Sequence, residues 1–117
     1  MDLRLTVEAP DRLVVNLREG DDVATVTASP SAAGVRSLGR AIDDAMVHGY
    51  GECFWPGMPG GQYWWVFRRR EATLETAVMW TRGGASLWEH VFRATDAAEW
   101  IRDRFAEETA RLTPAAG

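Results

Sequence analysis

Gly60-Gly61-Gln62-Tyr63-Trp64-Trp65-Val66-Phe67-Arg68 and Gly83-Gly84-Ala85-Ser86-Leu87-Trp88-Glu89-His90-Val91-Phe92-Arg93 are two versions of one phrase. Each opens on paired glycines, passes through tryptophan and closes on Val-Phe-Arg. The span from Gly60 to Arg93 holds four of the six tryptophans. Aromatic and β-branched residues at this density predict strands. They also crowd more apolar bulk than one buried sheet face needs, and that surplus points to a pocket or a partner surface. The unequal spacing within the two phrases argues against an internal duplication.

Three strands are expected here, at about 62–69, 73–81 and 87–93. A turn at Arg69-Arg70-Glu71-Ala72 pairs Phe67 with Leu74, Trp65 with Thr76 and Tyr63 with Val78. Pairing Trp80 with Trp88 sets Val78 against His90 and Thr76 against Phe92. Side chains alternate across a strand. One face therefore receives Tyr63, Trp65, Phe67, Leu74, Val78, Trp80, Trp88 and Phe92, with Thr76 and His90 as its polar members. The other receives Trp64, Val66, Arg68, Glu75, Ala77, Met79, Leu87, Glu89, Val91 and Arg93. The first set reads as the core face. The arginines and glutamates of the second suit water, whereas Trp64, Val66, Met79 and Val91 do not.

Working outward, Leu3, Leu5 and Val7 alternate with polar residues, as do Leu13, Val15 and Leu17. A third strand covers 23–28, giving a β-meander. Ser29-Pro30 reads as a helix start, with serine as cap and proline at the first helical position. Val35, Leu38, Ile42, Ala45 and Met46 form its apolar stripe, and Gly49 ends it. Residues 52–55 read as a short strand and 56–61 as an apolar loop able to fold over the sheet as a lid. Thr95 or Asp96 caps a second helix, with Asp96 and Glu99 forming a loose capping box. Ala97, Ile101, Phe105 and Leu112 lie on its buried side, with Trp100 at the border. The fold class is thus α+β: one antiparallel sheet of about six to seven strands with two helices on one face, in the order βββα-ββββ-α. A single domain spans 1–117, with 113–117 a disordered tail.

The 117 residues are 46% hydrophobic and 26% charged, ordinary values for one globular domain. No apolar run approaches the ~20 residues of a membrane span, and Arg4, Glu8 and Asp11 interrupt any signal-peptide core. The single cysteine excludes an internal disulfide, so the expected compartment is the cytoplasm. A net charge of −4 opposes nucleic-acid binding, which calls for a basic surface.

All 13 basic residues are arginine. With abundant Ala, Gly and Asp, this composition resembles that of small proteins from high-GC actinobacteria. The resemblance implies a bacterial cytoplasmic setting and no particular activity. In general type the chain is also similar to toxin-neutralising immunity proteins, which are small, acidic and aromatic-rich.

Chemistry-bearing patterns are thin. Cys53 with His48 or His90 would make a thiol–imidazole pair, but Phe54 and Trp55 adjoin it and favour a buried structural cysteine. Histidine, cysteine and glutamate show no metal-ligand spacing, so neither a metal nor a cofactor is expected. Glu107-Glu108 reads as a solvated helix face. The 57–61 loop lacks a phosphate-loop pattern. Arg68-Arg69-Arg70 reads as a hairpin turn held in water.

No catalytic residues are assigned. The leading expectation is a non-catalytic interaction module, a homodimer or a partner-capturing protein. Its interface comprises Trp64, Val66, Arg68, Met79, Leu87, Val91 and Arg93. The alternative is an inner pocket for a small aromatic ligand, walled by Tyr63, Trp65, Thr76, Trp80, Trp88 and His90. A third reading is a small enzyme using His90.

Overall fold

A computed structural model describes residues 1–57, 60–83 and 87–112 of the chain. The 113–117 tail, the centre of the expected lid at Met58-Pro59 and the glycine-led turn at Gly84-Ala85-Ser86 lie outside the described residues. The elements follow the expected order: β1 (Asp2–Glu8), β2 (Arg12–Glu19), β3 (Asp22–Ala28), α1 (Ser31–His48), β4 (Tyr50–Gly57), β5 (Gly61–Arg70), β6 (Thr73–Thr81), β7 (Glu89–Ala97) and α2 (Ala98–Leu112). The strands do not form one sheet. They form two antiparallel sheets, β1-β2-β3 and β4-β5-β6-β7.

The meander is built as its alternation requires. Leu3 faces Leu17 and Leu5 faces Val15 across β1–β2, while Val15 faces Val26 across β2–β3. All but Leu3 and Leu17 of these are fully buried, and those two nearly so. The sheet stops at β1 because α2 occupies its free edge. The Leu5 N–H donates to Glu108 Oε1 at 2.9 Å, and Arg111 Nη2 donates to the Leu5 carbonyl at 2.5 Å. One carboxylate and one guanidinium thus satisfy the peptide group that another strand would have paired. Glu108, expected in water, is 4% exposed. A buried charge needs such partners, and Arg111 and Arg104 supply the countercharge at 2.9 and 3.6 Å.

Helix α1 starts one step later than expected. Pro30 is itself the cap residue, without a side-chain capping bond, and Ser31 Oγ instead hydrogen-bonds the Asp11 carboxylate. Gly49 closes the helix in the left-handed region at φ 87°, its N–H donating to the Ala45 carbonyl. Arg69, on the core side of its hairpin, completes that end by donating Nη1 to the Met46 carbonyl at 2.7 Å. The arginine triplet is therefore not wholly a solvated turn. At α2, Thr95 and Asp96 belong to β7 and do not cap the helix; the Ala98 N–H bonds the Ala72 carbonyl instead. The buried side of α2 is Ala98, Ile101 and Glu108, whereas Ala97 is exposed.

Both sheets turn apolar faces to one shared core that the helices close. Leu38, Ile42 and Ala45 of α1 and Ile101 of α2 join Trp65, Phe67, Leu74, Val78 and Phe92 there. The seating of α1 depends on Gly51. A Cβ at that position would overlap the Ala41 carbonyl, so helix and strand backbones meet directly.

Gly51→Ala should therefore force α1 off β4 and cost about 1–3 kcal/mol, as overpacking of a filled core does; a denaturant titration measures it. Glu108→Gln should cost a similar ~1–3 kcal/mol at neutral pH by breaking a buried network. The Arg111 hydrogen bond, against the opposing effect of burial and with help from the Leu5 N–H, holds the Glu108 carboxyl below its usual range. Its contribution is present above the unfolded value of about 4.3 and is lost as pH falls through the lower folded value. Melting temperatures of wild type and Glu108→Gln should accordingly converge in acid.

Candidate functional site

The β4–β7 sheet has one face in the core and one in solvent, and register decides which residues share each. In the β5–β6 hairpin Phe67 faces Thr76, Trp65 faces Val78 and Tyr63 faces Trp80. This differs by two residues from the expected pairing because Glu71 and Ala72 alone make the turn, with Glu71 at φ 55°. A slip of two preserves the faces. The β6–β7 pairing differs in kind. Thr76 faces Ala94 and Val78 faces Phe92, but Met79 faces His90 and Trp80 faces Glu89. The extra residue, Val91, makes a bulge that reverses the alternation.

The bulge divides the residues expected to wall a pocket. Tyr63, Trp65, Thr76 and Trp80 stay on the core side. Trp65 and Thr76 are each 1% exposed, and Tyr63 packs on Trp80 in a tilted pair with ring centroids 4.7 Å apart. The Trp80 indole also covers Gly57 and Gly61, where a Cβ would overlap it. Tyr63 also lines an open pocket of about 350 Å³ with Arg12, Ser29, Pro56 and Gly57. Trp65 Nε1 and Thr76 Oγ1 have no hydrogen-bond partner among the described residues. Trp88 and His90 are elsewhere: His90 is exposed, not a polar member of the core. It lines an open groove of about 340 Å³ with Asp22, Val23, Val91, Phe92 and Arg93.

The solvent face is ordered in rows running across the four strands. The first is Tyr50, Arg68, Glu75 and Thr95; the second is Glu52, Val66, Ala77 and Arg93; the third is Phe54, Trp64, Met79 and His90. Phe54 stacks on Trp64 at 5.7 Å, and Trp88 leans on both, 5.3 Å from Trp64 and 6.3 Å from Phe54. Such ring pairs are worth about 0.5–1.5 kcal/mol beyond their area. Glu52 anchors the group, its Oε2 accepting from Trp64 Nε1 at 2.8 Å and from the Tyr50 hydroxyl at 2.6 Å. Burial, together with that bond to Glu52, raises the Tyr50 hydroxyl pKa. Arg68 lies 5.9 Å over the Tyr50 ring, and Arg93 Nη2 donates to Glu75 at 2.8 Å, lowering the Glu75 carboxyl pKa. Val66 and Ala77 are 5% and 9% exposed with no helix above them, because the flanking side chains close over them.

Of the residues expected at an interface, Trp64, Val66, Arg68, Met79 and Arg93 lie together on this face. Val91 sits at the bulge, and Leu87, before β7, is 79% exposed. Sequence reasoning left out Tyr50, Glu52 and Phe54, and placed Trp88 on the wrong face. The missed signal is the alternation of Tyr50, Glu52 and Phe54 with Gly51, Cys53 and Trp55, legible once β4 is begun at Tyr50.

Nothing among the described residues gathers three or more His, Cys, Asp or Glu side chains as a metal site would, and no described helix is long and apolar enough to cross a membrane. His48 is exposed at the end of α1, whereas Cys53 is buried beside Ser37. No family model, curated protein or solved structure matches the chain.

Burial pushes the Cys53 thiol up to about 12, against the opposing effect of its hydrogen bond with Ser37. The thiolate is the reactive form. Cys53 should therefore resist a thiol reagent at mildly alkaline pH and react at once when denaturant is added; absorbance of the released chromophore reads both rates.

Proposed function

We propose that this chain is a non-catalytic interaction module that engages a protein, either a second copy or a captured partner, through the solvent face of the β4–β7 sheet. The observation that carries this reading is the Phe54–Trp64–Trp88 cluster, packed ring on ring on the face opposite both helices. A fold of this size can leave single apolar residues in water without consequence, but a contiguous aromatic patch is typical of a binding surface. The residue types agree. Interfaces concentrate Trp, Tyr, Phe, Met and Arg around a core poor in charge. Here Trp64 and Met79, beside the covered Val66 and Ala77, make such a centre, and Arg68, Glu75, Glu52 and Arg93 border it.

Trp64 is also held in place by contacts within its own chain. Phe54 holds it on one side and Glu52 through its N–H, so little rotamer freedom remains to be lost on association. Ordering a free, rotamer-rich side chain at an interface costs about 0.5–1.5 kcal/mol. Aromatic anchors preset in this way are the residues whose truncation costs binding most.

Trp64→Ala and Phe54→Ala should each abolish the assembly seen by native mass spectrometry of the protein purified gently from its host. Both variants should still unfold cooperatively. A wild-type chain that runs as a bare monomer, with a mass pattern unaltered by either substitution, overturns the reading.

A further inference from the structure

The charges on the solvent face are arranged so that the face is complementary to itself, and from this we infer that its partner is a second copy of the chain, packed sheet on sheet about a two-fold axis parallel to the strands. The inference rests on the reading of this face as an interaction surface and names its occupant. Two sheets packed face to face keep their strands roughly aligned. A closed dimer of this kind has its two-fold axis in the plane between the sheets.

Consider the axis along the strand direction, between β5 and β6. Rotation keeps each row level and exchanges its ends, so the β4 column of one copy lies over the β7 column of the other. In the second row, Glu52 of each copy then meets Arg93 of its partner, whose guanidinium also holds Glu75 of its own chain. In the first row, Arg68 of each copy meets Glu75 of the other. Four complementary meetings result, two of each kind. In the third row Trp64 falls against Met79, a favourable sulfur–aromatic contact. Stacked sheets lie about 10 Å apart, a gap that arginine and glutamate side chains bridge when they reach toward each other.

Now take the other aligned choice, an axis across the strands through the second row. Each column then lies over itself. Glu52 meets Glu52 and Arg93 meets Arg93, and like charges set together at an interface cost several kcal/mol. Electrostatics therefore selects one two-fold and rejects the other. The selected axis passes between Val66 and Ala77, which the flanking side chains already cover. Four strands about 4.8 Å apart and some 20 Å of strand length give a footprint of roughly 400 Å² in projection. That is small for a specific interface, so the dimer should be weak and concentration-dependent.

Charge reversal tests both the partner and the axis, using purified full-length chain with no other protein present. Sedimentation should show wild type dimerising at concentrations on the order of 100 µM. Glu52→Arg alone and Arg93→Glu alone should each weaken that dimer about tenfold or more, because each sets like charges opposite one another. Mixed together, the two variants should recover a heterodimer. The arginine introduced at position 52 of one chain then faces the glutamate introduced at position 93 of the other, while the unaltered Arg93 and Glu52 meet as in wild type. Circular dichroism melts check that each variant is folded; Arg68→Glu mixed with Glu75→Arg repeats the test if Glu52→Arg disturbs Trp64. A wild-type monomer throughout this range overturns the second copy as occupant; a captured partner would then still appear in the host-purified mass. A wild-type dimer that neither mixture of folded variants restores overturns the axis.

Discussion

Gly51 lets the backbone of β4 lie directly against α1, and much of the molecule follows from that contact. A helix seated on one face of a sheet buries that face and leaves the other to water. Because α1 meets β4 on the side of Gly51, Cys53 and Trp55, those side chains enter the core. Tyr50, Glu52 and Phe54 are left outside, aligned with Trp64, Val66 and Arg68 of the neighbouring strand. The candidate surface is thus a direct result of where one helix could approach closely enough.

The second organising device is electrostatic. The meander and the four-stranded sheet share a core without sharing a hydrogen-bonded edge, and at the β1 edge Glu108 and Arg111 occupy the N–H and carbonyl of Leu5. A side-chain pair in place of a strand gives a sheet a definite end. It also joins β1 to the last helix, near where the Met1 amino group reaches Asp96 of β7 at 2.6 Å. The two ends of the described chain are therefore held to the same body by charge as well as by packing.

Alternation was a reliable guide wherever strands were regular. The two-residue slip at the Glu71-Ala72 turn left every face assignment of β5 and β6 intact, since side chains repeat every second residue. The same reasoning failed at Val91, where one inserted residue moved His90 from core to solvent and parted Trp88 from Trp80. No local feature of Glu89-His90-Val91-Phe92 marks a bulge. Helix boundaries failed for a related reason: Asp96 has the composition of a cap but is used by Met1 and by its own strand end.

The sequence by itself determined the element order, the α+β class, the alternation of each strand and the surplus of aromatic residues, because these depend on periodicity and on residue type read locally. Tertiary structure alone decided that there are two sheets, that Glu108 is buried and that Phe54, Trp64 and Trp88 form one cluster. Each of those outcomes depends on which distant groups satisfy a backbone edge or cover a face, and such pairings are set by three-dimensional packing between segments as far apart in sequence as β1 and α2.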